Sequence, residues 1–559
     1  MKKLIALLLA LVMVLGLAAC GSKPEVTPEA APEAAPEAAP EAAPEAADEE
    51  EYLRLNWEYI NATKSGWKSP AQMGNYLDTN LIWNNLIRMD IETGEIVYDL
   101  AESMEVSSDG LTITFKLRDA TWHDGVPVTA EDVVFTYNAR ILGPWTASAT
   151  VMGIFKGYDE LIAGETDRIA GIYAKDDKTV VFELNYPDYT MLTTCESNIF
   201  AKGHFAIIPA HLLDTGNWED MESSEYWTHP IGTGPYKIEE LSYPNYCVLT
   251  RNEDYFKDPA GIEKVLLTAY TDMEAQVAAA MAGDLYSMRA IAKATGEDAA
   301  AQNPDLVFYQ HDSAFYRGLS FMVAEGVTQI PDLQKKEVRQ ALNMIIDKQA
   351  IADYLGTAVP ATNYNCDGET NTDIPVWKRD VETGVQMLKD AGFDFSKTLK
   401  IVTSYTDQAT VDILDIIVAN LAEAGIQGDY TVDGQTRRAT YMTGEYAFTY
   451  VGGGFNTLCY EPWGADGSNE RELLGYDYEH RLLYNELFKE YKSTPDAAGR
   501  KAIAGEIQAM YMEDLYEMVL YFTNTCYLVN SGKLQGWTGI SQDYEAIAVY
   551  DFSQWSLVE

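Results

Sequence analysis

The sequence has few of the residues that local catalytic and metal-binding signatures require. It contains only six cysteines and six histidines in 559 residues. No cysteines form a C-x-x-C pair and no histidines form H-E-x-x-H, which excludes zinc ribbons, thioredoxin-type redox motifs and the helical metalloprotease motif. Patterns of the type G-x-S-x-G, Walker A and G-x-G-x-x-G are missing as well. An enzyme is therefore disfavoured, although a triad assembled from distant residues stays open.

Cysteine usage also excludes a disulfide framework. The five cysteines that follow Cys20 lie far apart and are odd in number, so at least one thiol has no partner within the chain: Cys195, Cys247, Cys366, Cys459 and Cys526. The sequence leaves open whether any of the others pair.

Basic residues are scarce relative to acidic ones. The chain has 40 Lys and Arg against 86 Asp and Glu, a formal net charge of −46. Such a surface repels phosphate backbones, so we expect no nucleic-acid partner.

Long apolar runs are missing except at the N-terminus, which reads "MKKLIALLLALVMVLGLAAC". Two lysines precede an apolar run from Leu4 to Leu17, which is shorter than the ~20 residues of a membrane span and fits a secretory signal. Cys20 at the cleavage point resembles the lipobox of bacterial lipoproteins. We expect a signal peptide over residues 1–19 and lipidation of Cys20; an ordinary signal peptide with a chance cysteine is the alternative.

Residues 20–51 contain five Pro-Glu-Ala-Ala units, which start at Pro28, Pro32, Pro36, Pro40 and Pro44. A proline at every fourth position forbids a regular helix, and the glutamates repel one another. With so few apolar side chains the segment cannot bury a core. We predict a disordered, acidic tether that reaches on the order of 70 Å if it is extended as polyproline II. The alternative is a disordered tail that does not serve as a spacer.

The remaining residues, 52–559, are too many for one hydrophobic core and predict two or more lobes. Alternating apolar positions predict a strand over Gly110–Asp119 and another over Thr179–Leu184. Helical spacing predicts one helix after Thr129 as N-cap, one over residues 335–355 and one over residues 411–426 that ends at Gly425. The mixture of strands and helices indicates an α/β fold.

Four blocks resemble the extracellular solute-binding proteins of ABC importers, in the oligopeptide/dipeptide/nickel-binding family (family 5). They are "LIRMDIETGEIVYDLAES" (Leu86 to Ser103), "LAESMEVSSDGLTITFKLRDATWHDGVPVTAEDVVFTYN" (Leu100 to Asn138), "IGTGPYKIEELSYPNYCVLTRNEDYF" (Ile231 to Phe256) and "EVRQALNMIIDKQAI" (Glu337 to Ile351). Within them we assign fold-identifying roles, not ligand contacts, to the His123 turn, to Gly232, Gly234 and Pro235, and to Arg339 and Asp347.

The resemblance implies a two-lobed periplasmic-binding-protein-like clamp of type II, from the large cluster with an extra subdomain. Lobe I would comprise residues 52–268 and 527–559, with the subdomain at about residues 80–209, and lobe II residues 269–526. Two hinge strands, near Leu266 to Thr271 and Thr523 to Val529, would join the lobes.

The resemblance further implies a binding protein without catalytic activity, cofactor or metal. It would be a monomer anchored by its lipid on the extracellular face of the membrane, facing the periplasm if the cell has an outer membrane. It would capture a peptide or another small molecule and deliver it to an ABC permease with ATPase subunits.

The stretch "YVGGGFNTLCYEPWG" (Tyr450 to Gly464) is similar to the segment that supplies an ammonium-binding aspartate in peptide-binding relatives, and that position falls on Leu458. Either another acid, with Glu461 the nearest, neutralises an ammonium, or the ligand is not a free-amine peptide. The other explanation is that the alignment of this stretch with the segment of its relatives is off by one or two residues. The ligand-binding residues that we predict are Phe455, Asn456, Leu458, Glu461, Trp463, Tyr59, Asn61 and Tyr405.

Three hypotheses follow. The first is a peptide-capturing importer component. The second is the same clamp for a non-peptide solute, either an oligosaccharide or a chelated metal such as nickel. The third, from another class, is an extracellular lipoprotein hydrolase.

Overall fold

A computed structural model describes most of the globular body. The described residues are 51–57, 77–89, 95–143, 152–192, 199–201, 205–289, 291–356, 358–361, 377–433, 437–454, 461–469, 471–537 and 551–558. Three segments with assigned roles lie outside them: the signal peptide, Cys20 and the proline-rich tether.

The first part of the chain is rich in short strands. Its strands are β1 (Tyr52–Asn56), β2 (Ile87–Met89), β3 (Ile96–Tyr98), β4 (Ala101–Val106), β5 (Thr112–Leu117), β6 (Ile172–Asp176) and β7 (Thr179–Glu183). Its α-helices are α1 (Leu77–Ile82), α2 (Ala130–Leu142) and α3 (Tyr158–Ile162), and a 3₁₀ helix spans Tyr189–Leu192.

The middle part alternates helices with longer strands. It contains helix α4 (Ala210–Leu213), 3₁₀ helices at Trp218–Ser223 and Glu225–Thr228, strands β8 (Tyr236–Ser242), β9 (Tyr246–Arg251) and β10 (Lys264–Thr268), helix α5 (Met273–Ala282), strand β11 (Ser287–Arg289), helix α6 (Lys293–Gln302), strand β12 (Leu306–Phe321) and a 3₁₀ helix at Pro331–Gln334.

The last part carries most of the helices. In chain order it contains α7 (Lys336–Ile345), α8 (Lys348–Leu355), β13 (Val359–Pro360), α9 (Val381–Asp390), β14 (Thr398–Thr403), α10 (Gln408–Glu423), β15 (Gln427–Val432), α11 (Arg437–Tyr441), β16 (Phe448–Gly454), α12 (Tyr478–Ser493), α13 (Ala497–Asp514), β17 (Glu517–Asn530), β18 (Leu534–Gln535), a 3₁₀ helix at Phe552–Gln554 and β19 (Ser556–Leu557).

One large sheet runs through the body in the order β15-β14-β16-β12-β17-β11-β1-β10-β9-β8, with β13 added to β17. The first half of this sheet, from β11 to β8, mixes parallel and antiparallel pairs, whereas β15, β14 and β16 in the second half are parallel to one another. Parallel strands need helical crossovers, and α10 supplies the one between β14 and β15.

Two long strands connect the halves of the sheet. Strands β12 and β17 pair along their length, from Leu306 opposite Asn530, beside β11, to Ser320 opposite Glu517, beside β16. The register shifts between Asp312 and Tyr316 and again between Arg317 and Gly318. Such irregularities bend and twist a strand pair, so the chain changes direction where it passes from one half to the other.

A smaller sheet in the order β4-β5-β7-β6 forms the body of an additional subdomain with helix α2. It joins the first half of the large sheet through buried polar contacts. The amide of Asn84 donates to Tyr255 Oη, and the hydroxyl of Thr233 donates to Asn84 Oδ1.

Three large hydrophobic cores accompany these parts. One lies under β8, β9 and β10, a second fills the subdomain around Phe115 and Tyr137, and the third packs α7, α10, α12 and α13 against the second half of the sheet. Separate cores are what a chain of this length requires. None of the helices in the described part of the chain combines the length and the apolar character needed to span a bilayer.

Several local predictions are confirmed. Strand β5 buries Ile113, Phe115 and Leu117 on one face, as its alternation predicts. Strand β7 lies within the predicted Thr179–Leu184 segment, and helix α2 follows Thr129. Helix α10 begins three residues before its predicted start, because the side chain of Asp407 caps it, and Gly425 follows it in the left-handed conformation at φ +77°.

The prediction of one helix over residues 335–355 is wrong. The structure has two helices there, α7 and α8, because Ile346 adopts an extended conformation. Asp347 then starts a new helix by accepting a hydrogen bond from the Ala350 amide at 2.9 Å. Amphipathic spacing alone carried no sign of this break.

The predicted hinge strands agree with the structure at one of two positions. Thr523 to Val529 lies in the crossing strand β17, but Leu266 to Thr268 ends strand β10, which pairs with β1 and β9 inside the first half. The second crossing strand is β12, about forty residues later. Between the two, helices α5 and α6 and strand β11 return the chain to the first half, where β11 pairs with β1 and β17. The lobe boundaries themselves stay a prediction.

Candidate functional site

The carboxyl ends of the parallel strands β14, β15 and β16 meet at one edge of the second half of the sheet. In open α/β sheets this edge is where ligands bind. Here Thr403, at the end of β14, lies opposite Tyr450 in β16, and Gly452 to Gly454 end β16 beside the crossing strand β12. The three glycines therefore lie next to the connection between the two halves.

Arg317 of β12 packs its side chain against the first of these glycines, Gly452. It pairs in register with Gly452, and a Cβ at Gly452 would lie 2.2 Å from Arg317 Nη1 and 2.7 Å from the carbonyl oxygen of Tyr316. Only glycine leaves room for this side chain. The guanidinium carbon lies 4.7 Å from the centroid of the Tyr405 ring, and Nη1 donates to the Tyr316 carbonyl at 3.3 Å.

Three tyrosines, Tyr405, Tyr450 and Tyr521, lie beside Arg317. The hydroxyls of Tyr450 and Tyr521 lie 3.0 Å apart in a hydrogen bond, and the ring of Tyr405 stands perpendicular to that of Tyr450 with centroids 5.9 Å apart. Burial raises the pKa of Tyr450 and of Tyr521 above the usual value. Both phenols therefore stay neutral hydrogen-bonding groups at physiological pH.

Glu517 of β17 links the two crossing strands through hydrogen bonds to β12. The hydroxyl of Ser320 donates to its Oε2 at 3.0 Å, and Tyr316 also hydrogen-bonds its carboxyl group. Burial raises the pKa of Glu517 to about 7. Gly318 lies close by, and a Cβ there would lie 2.8 Å from the Met518 carbonyl oxygen and 3.0 Å from Glu517 Oε1.

The structure places three of the predicted ligand residues. Tyr405 lies at the strand edge under Arg317. Glu461 is partly exposed and pairs with Lys492, whose Nζ is 2.6 Å from Glu461 Oε1. Trp463 is 3% exposed and stacks on Tyr516 inside the core, with centroids 5.9 Å apart. Five others lie outside the described residues: Phe455, Asn456, Leu458, Tyr59 and Asn61. The ligand-binding role of all eight stays a prediction.

Lys492 also links the subdomain to the second half. Its helix, α12, contacts the 3₁₀ helix Tyr189–Leu192, and the charge of Lys492 acts on buried Asp188. Burial raises the pKa of Asp188, and Lys492 opposes that shift. Burial alone would lower the pKa of Lys492, but Glu461 and Asp188 outweigh it and raise the pKa. The group Asp188, Lys492 and Glu461 thus couples two parts that belong to different cores.

Sequence reasoning missed Arg317, Lys492 and Asp188. A signal for Arg317 was present, because it is the one charged residue in "AFYRGLSFMV" (Ala314 to Val323), an otherwise largely apolar strand. Its position opposite Gly452 depends on a strand register that the sequence does not display.

The family-like motifs have structural roles. His123 accepts a hydrogen bond from the Gly232 amide at Nδ1 and donates from Nε2 to the Gly234 carbonyl, each at 3.1 Å. Burial lowers its pKa to about 4, so it is neutral at physiological pH. The turn is confirmed by Gly125 at φ +88°. The hydrogen-bond partners of His123 come from the distant block Ile231 to Phe256, so His123 ties the turn to that block.

A cavity of about 670 Å³ lies in the first half and away from this edge. Asp99 lines it and pairs with Arg88 at 3.0 Å and with Lys257 at 2.7 Å. Burial would raise the pKa of Asp99, but the two cations outweigh it and lower the pKa to about 2. Asp99, Arg88 and Lys257 thus satisfy one another, which is typical of a structural network. Within the described residues, no group of three or more His, Cys, Asp or Glu side chains is arranged to hold a metal ion.

Comparisons with known proteins show the family of this chain. Residues 95–458 match a sequence model described as "Bacterial extracellular solute-binding proteins, family 5 Middle". A Brucella ovis protein is 32% identical over 352 residues, and the match spans about 61% of this chain and of that relative. The oligopeptide-binding protein AppA of Bacillus subtilis is 25% identical over 474 residues, 80% of this chain and 81% of the relative.

Solved structures share the fold. AppA of Bacillus subtilis in complex with a nonapeptide superposes with a TM-score of 0.64 at 21% identity, covering 86% of this chain and 94% of that one. NikZ of Campylobacter jejuni in complex with Ni(L-His) gives 0.66 at 19% identity, covering 90% and 99%. The fold is therefore that of the two-lobed periplasmic binding proteins, as predicted. The chain belongs to the bacterial extracellular solute-binding proteins, family 5.

Proposed function

We propose that this protein is the substrate-binding component of an ABC importer. It captures peptides between two closing lobes and delivers them to a membrane permease with its ATPase subunits, without changing the ligand. The observation that carries the proposal is the position of Arg317, Tyr405 and the Tyr450–Tyr521 pair where the parallel strands end, beside the strands that connect the two halves. AppA, a relative over 80% of the chain, is an oligopeptide-binding protein.

We further propose the setting that the sequence predicts. Lipidation at Cys20 anchors a monomer on the extracellular face of the membrane, and residues 20–51 hold the body clear of the bilayer. The lobes are the two halves of the large sheet with the helices that pack on each, and β12 and β17 are the strands about which they move. Hinge closure of this kind takes microseconds to milliseconds.

A non-peptide solute is the second candidate. NikZ, with the same fold, binds Ni(L-His), and tyrosine-rich surfaces also suit sugar rings. A ligand panel in thermal unfolding separates the candidates: peptide pools, cello- and xylo-oligosaccharides, and nickel with histidine. A ligand at 100 times its Kd stabilises the folded state by about 2.7 kcal/mol. We expect stabilisation by peptide pools alone. If oligosaccharides or nickel–histidine stabilise the protein and peptide pools do not, that solute is the ligand and the peptide proposal fails.

Replacing Lys492 with methionine should weaken ligand binding. The change leaves Glu461 unpaired and Asp188 without its neighbouring cation, at the contact between the subdomain and α12. Because Glu461 is partly exposed, we expect a loss of about 1–2 kcal/mol, or about 5- to 30-fold in Kd. Titration calorimetry with the same peptide measures it.

Lys489→Met is the matched control. Lys489 is an exposed lysine on the same helix, so its loss should leave the Kd unchanged. Equal affinities for Lys492→Met and wild type would show that this contact does not contribute to the bound state.

A further inference from the structure

The charged side chains at the strand edge differ in their partners: the carboxylates are paired, whereas Arg317 has no carboxylate partner among the described residues. In the described part of the chain no carboxylate lies within ion-pairing distance of Arg317, whose recorded contacts are the Tyr405 ring and the Tyr316 carbonyl. The guanidinium thus keeps most of its five donors for another partner.

The acids near this edge have partners. Glu461 pairs with Lys492 at 2.6 Å. Asp407 accepts two hydrogen bonds from Thr410, from the backbone amide and from the hydroxyl, each at 2.9 Å, and so caps helix α10. Glu517 is occupied by Ser320 and Tyr316. These carboxyl groups are committed to the protein, whereas the Arg317 guanidinium is not.

Arg317 is also held in place. Gly452 leaves the space that its guanidinium occupies, and the Tyr405 ring supports it from below at 4.7 Å. A planar guanidinium with a fixed orientation presents two parallel N–H donors, which match the two oxygens of a carboxylate.

From this arrangement we propose that the site selects its ligand through a carboxylate that binds Arg317, and that a free ligand ammonium contributes less. For a peptide, this is a peptide with a free carboxylate, such as its C-terminal one, whether or not its N-terminus is blocked. The inference rests on the proposed function, and it deepens it by naming the ligand group that is recognised.

The test uses the full-length protein and three matched random libraries of tri- to hexapeptides made without Asp and Glu: free at both ends, amidated at the C-terminus and acetylated at the N-terminus. Retained peptides are quantified by mass spectrometry after gel filtration. We expect the free and acetylated libraries to bind alike. The amidated library should bind about 10- to 100-fold more weakly, because it lacks the charge-assisted pair.

The variant Arg317→Met should bind the free library as weakly as wild type binds the amidated one. Arg438→Met is the matched control, because Arg438 already pairs with Glu472 at 2.9 Å and its loss should not change the preference. Gly452→Ala leaves the charge but displaces the guanidinium, so it should also lose the preference. If Arg317→Met does not fold, the comparison of libraries on wild type decides.

The outcomes separate this inference from the proposed function. Equal retention of free and amidated peptides, or an unchanged preference in Arg317→Met, overturns the inference and leaves peptide capture standing. If wild type retains no peptide, peptide capture fails, and succinate, citrate and neutral cellotriose are tested instead. Carboxylate binding that Arg317→Met abolishes then supports the Arg317 assignment. Cellotriose binding, or no binding at all, overturns it.

Discussion

Arg339→Met should destabilise the protein by about 3–5 kcal/mol. The Arg339 side chain is fully buried on α7 and donates to three backbone carbonyls, those of Asp514 at 2.7 Å, Leu333 at 2.8 Å and Gln334 at 2.9 Å. Its Nη2 also donates to Tyr476 Oη at 2.8 Å. Methionine fills part of the volume but leaves these acceptors buried and unpaired, and each costs about 1–3 kcal/mol. Urea unfolding monitored by circular dichroism measures the change.

Lys336→Met on the same helix is the matched control. Lys336 forms an exposed ion pair with Glu513, and such pairs are worth about 0–1 kcal/mol. A loss below about 1 kcal/mol for Arg339→Met would show that the carbonyls find other partners. The result bears on function, because the sequence assigned Arg339 to holding a helix and not to the ligand.

The wild-type protein should lose stability as the pH rises from 5 to 8, because the buried Glu517 ionises. The variant Glu517→Gln should not show this loss. Burial raises the pKa of Glu517 from 4.5 to about 7, so the folded state holds this proton more tightly than the unfolded state does. A raised carboxyl pKa means that the contribution of Glu517 to stability is greatest below pH 4.5 and falls as the pH rises towards 7. At 1.36 kcal/mol for each pKa unit, the loss grows by about 2.5 kcal/mol between pH 5 and pH 8.

Urea unfolding of both proteins at pH 5 and pH 8 checks this prediction. The stability of Glu517→Gln relative to wild type should rise by about 2.5 kcal/mol from the lower pH to the higher. Glu513→Gln serves as the control, because the hydrogen bond from Lys336 lowers the pKa of Glu513 below 4.5, so its stability relative to wild type should stay nearly constant between pH 5 and pH 8. A relative stability of Glu517→Gln that does not change with pH would mean that Glu517 ionises in the fold as it does in water.

Local patterns in the sequence predicted much of the fold. Strand β5 and helix α2 carry their signals in adjacent residues, so alternation and capping located them. The break between α7 and α8 was missed, because amphipathic spacing continues across Asp347 and only the Asp347 cap separates the helices. The crossing strand β12 was missed, because the identity of a strand's neighbours depends on the register of distant segments.

The site was harder to predict than the fold. Tyr405 was placed at the edge by resemblance, and the structure brings it under Arg317. Trp463, two residues from Glu461, turns into the core and stacks on Tyr516, because a short helical turn sends neighbouring side chains in different directions. Arg317 was missed, because its space exists only where Gly452 of another strand lies opposite. Gly452, the first of the three glycines that end strand β16, makes room for the cation.

The central claim is that this protein binds peptides and releases them unchanged. Calorimetric titration of the purified protein with a free peptide pool, followed by mass analysis of the recovered peptides, tests it most directly. We expect a saturable heat with one site per chain and peptides of unaltered mass. No heat with any peptide, together with heat from a cello- or xylo-oligosaccharide, would contradict it, and so would recovery of hydrolysed peptides.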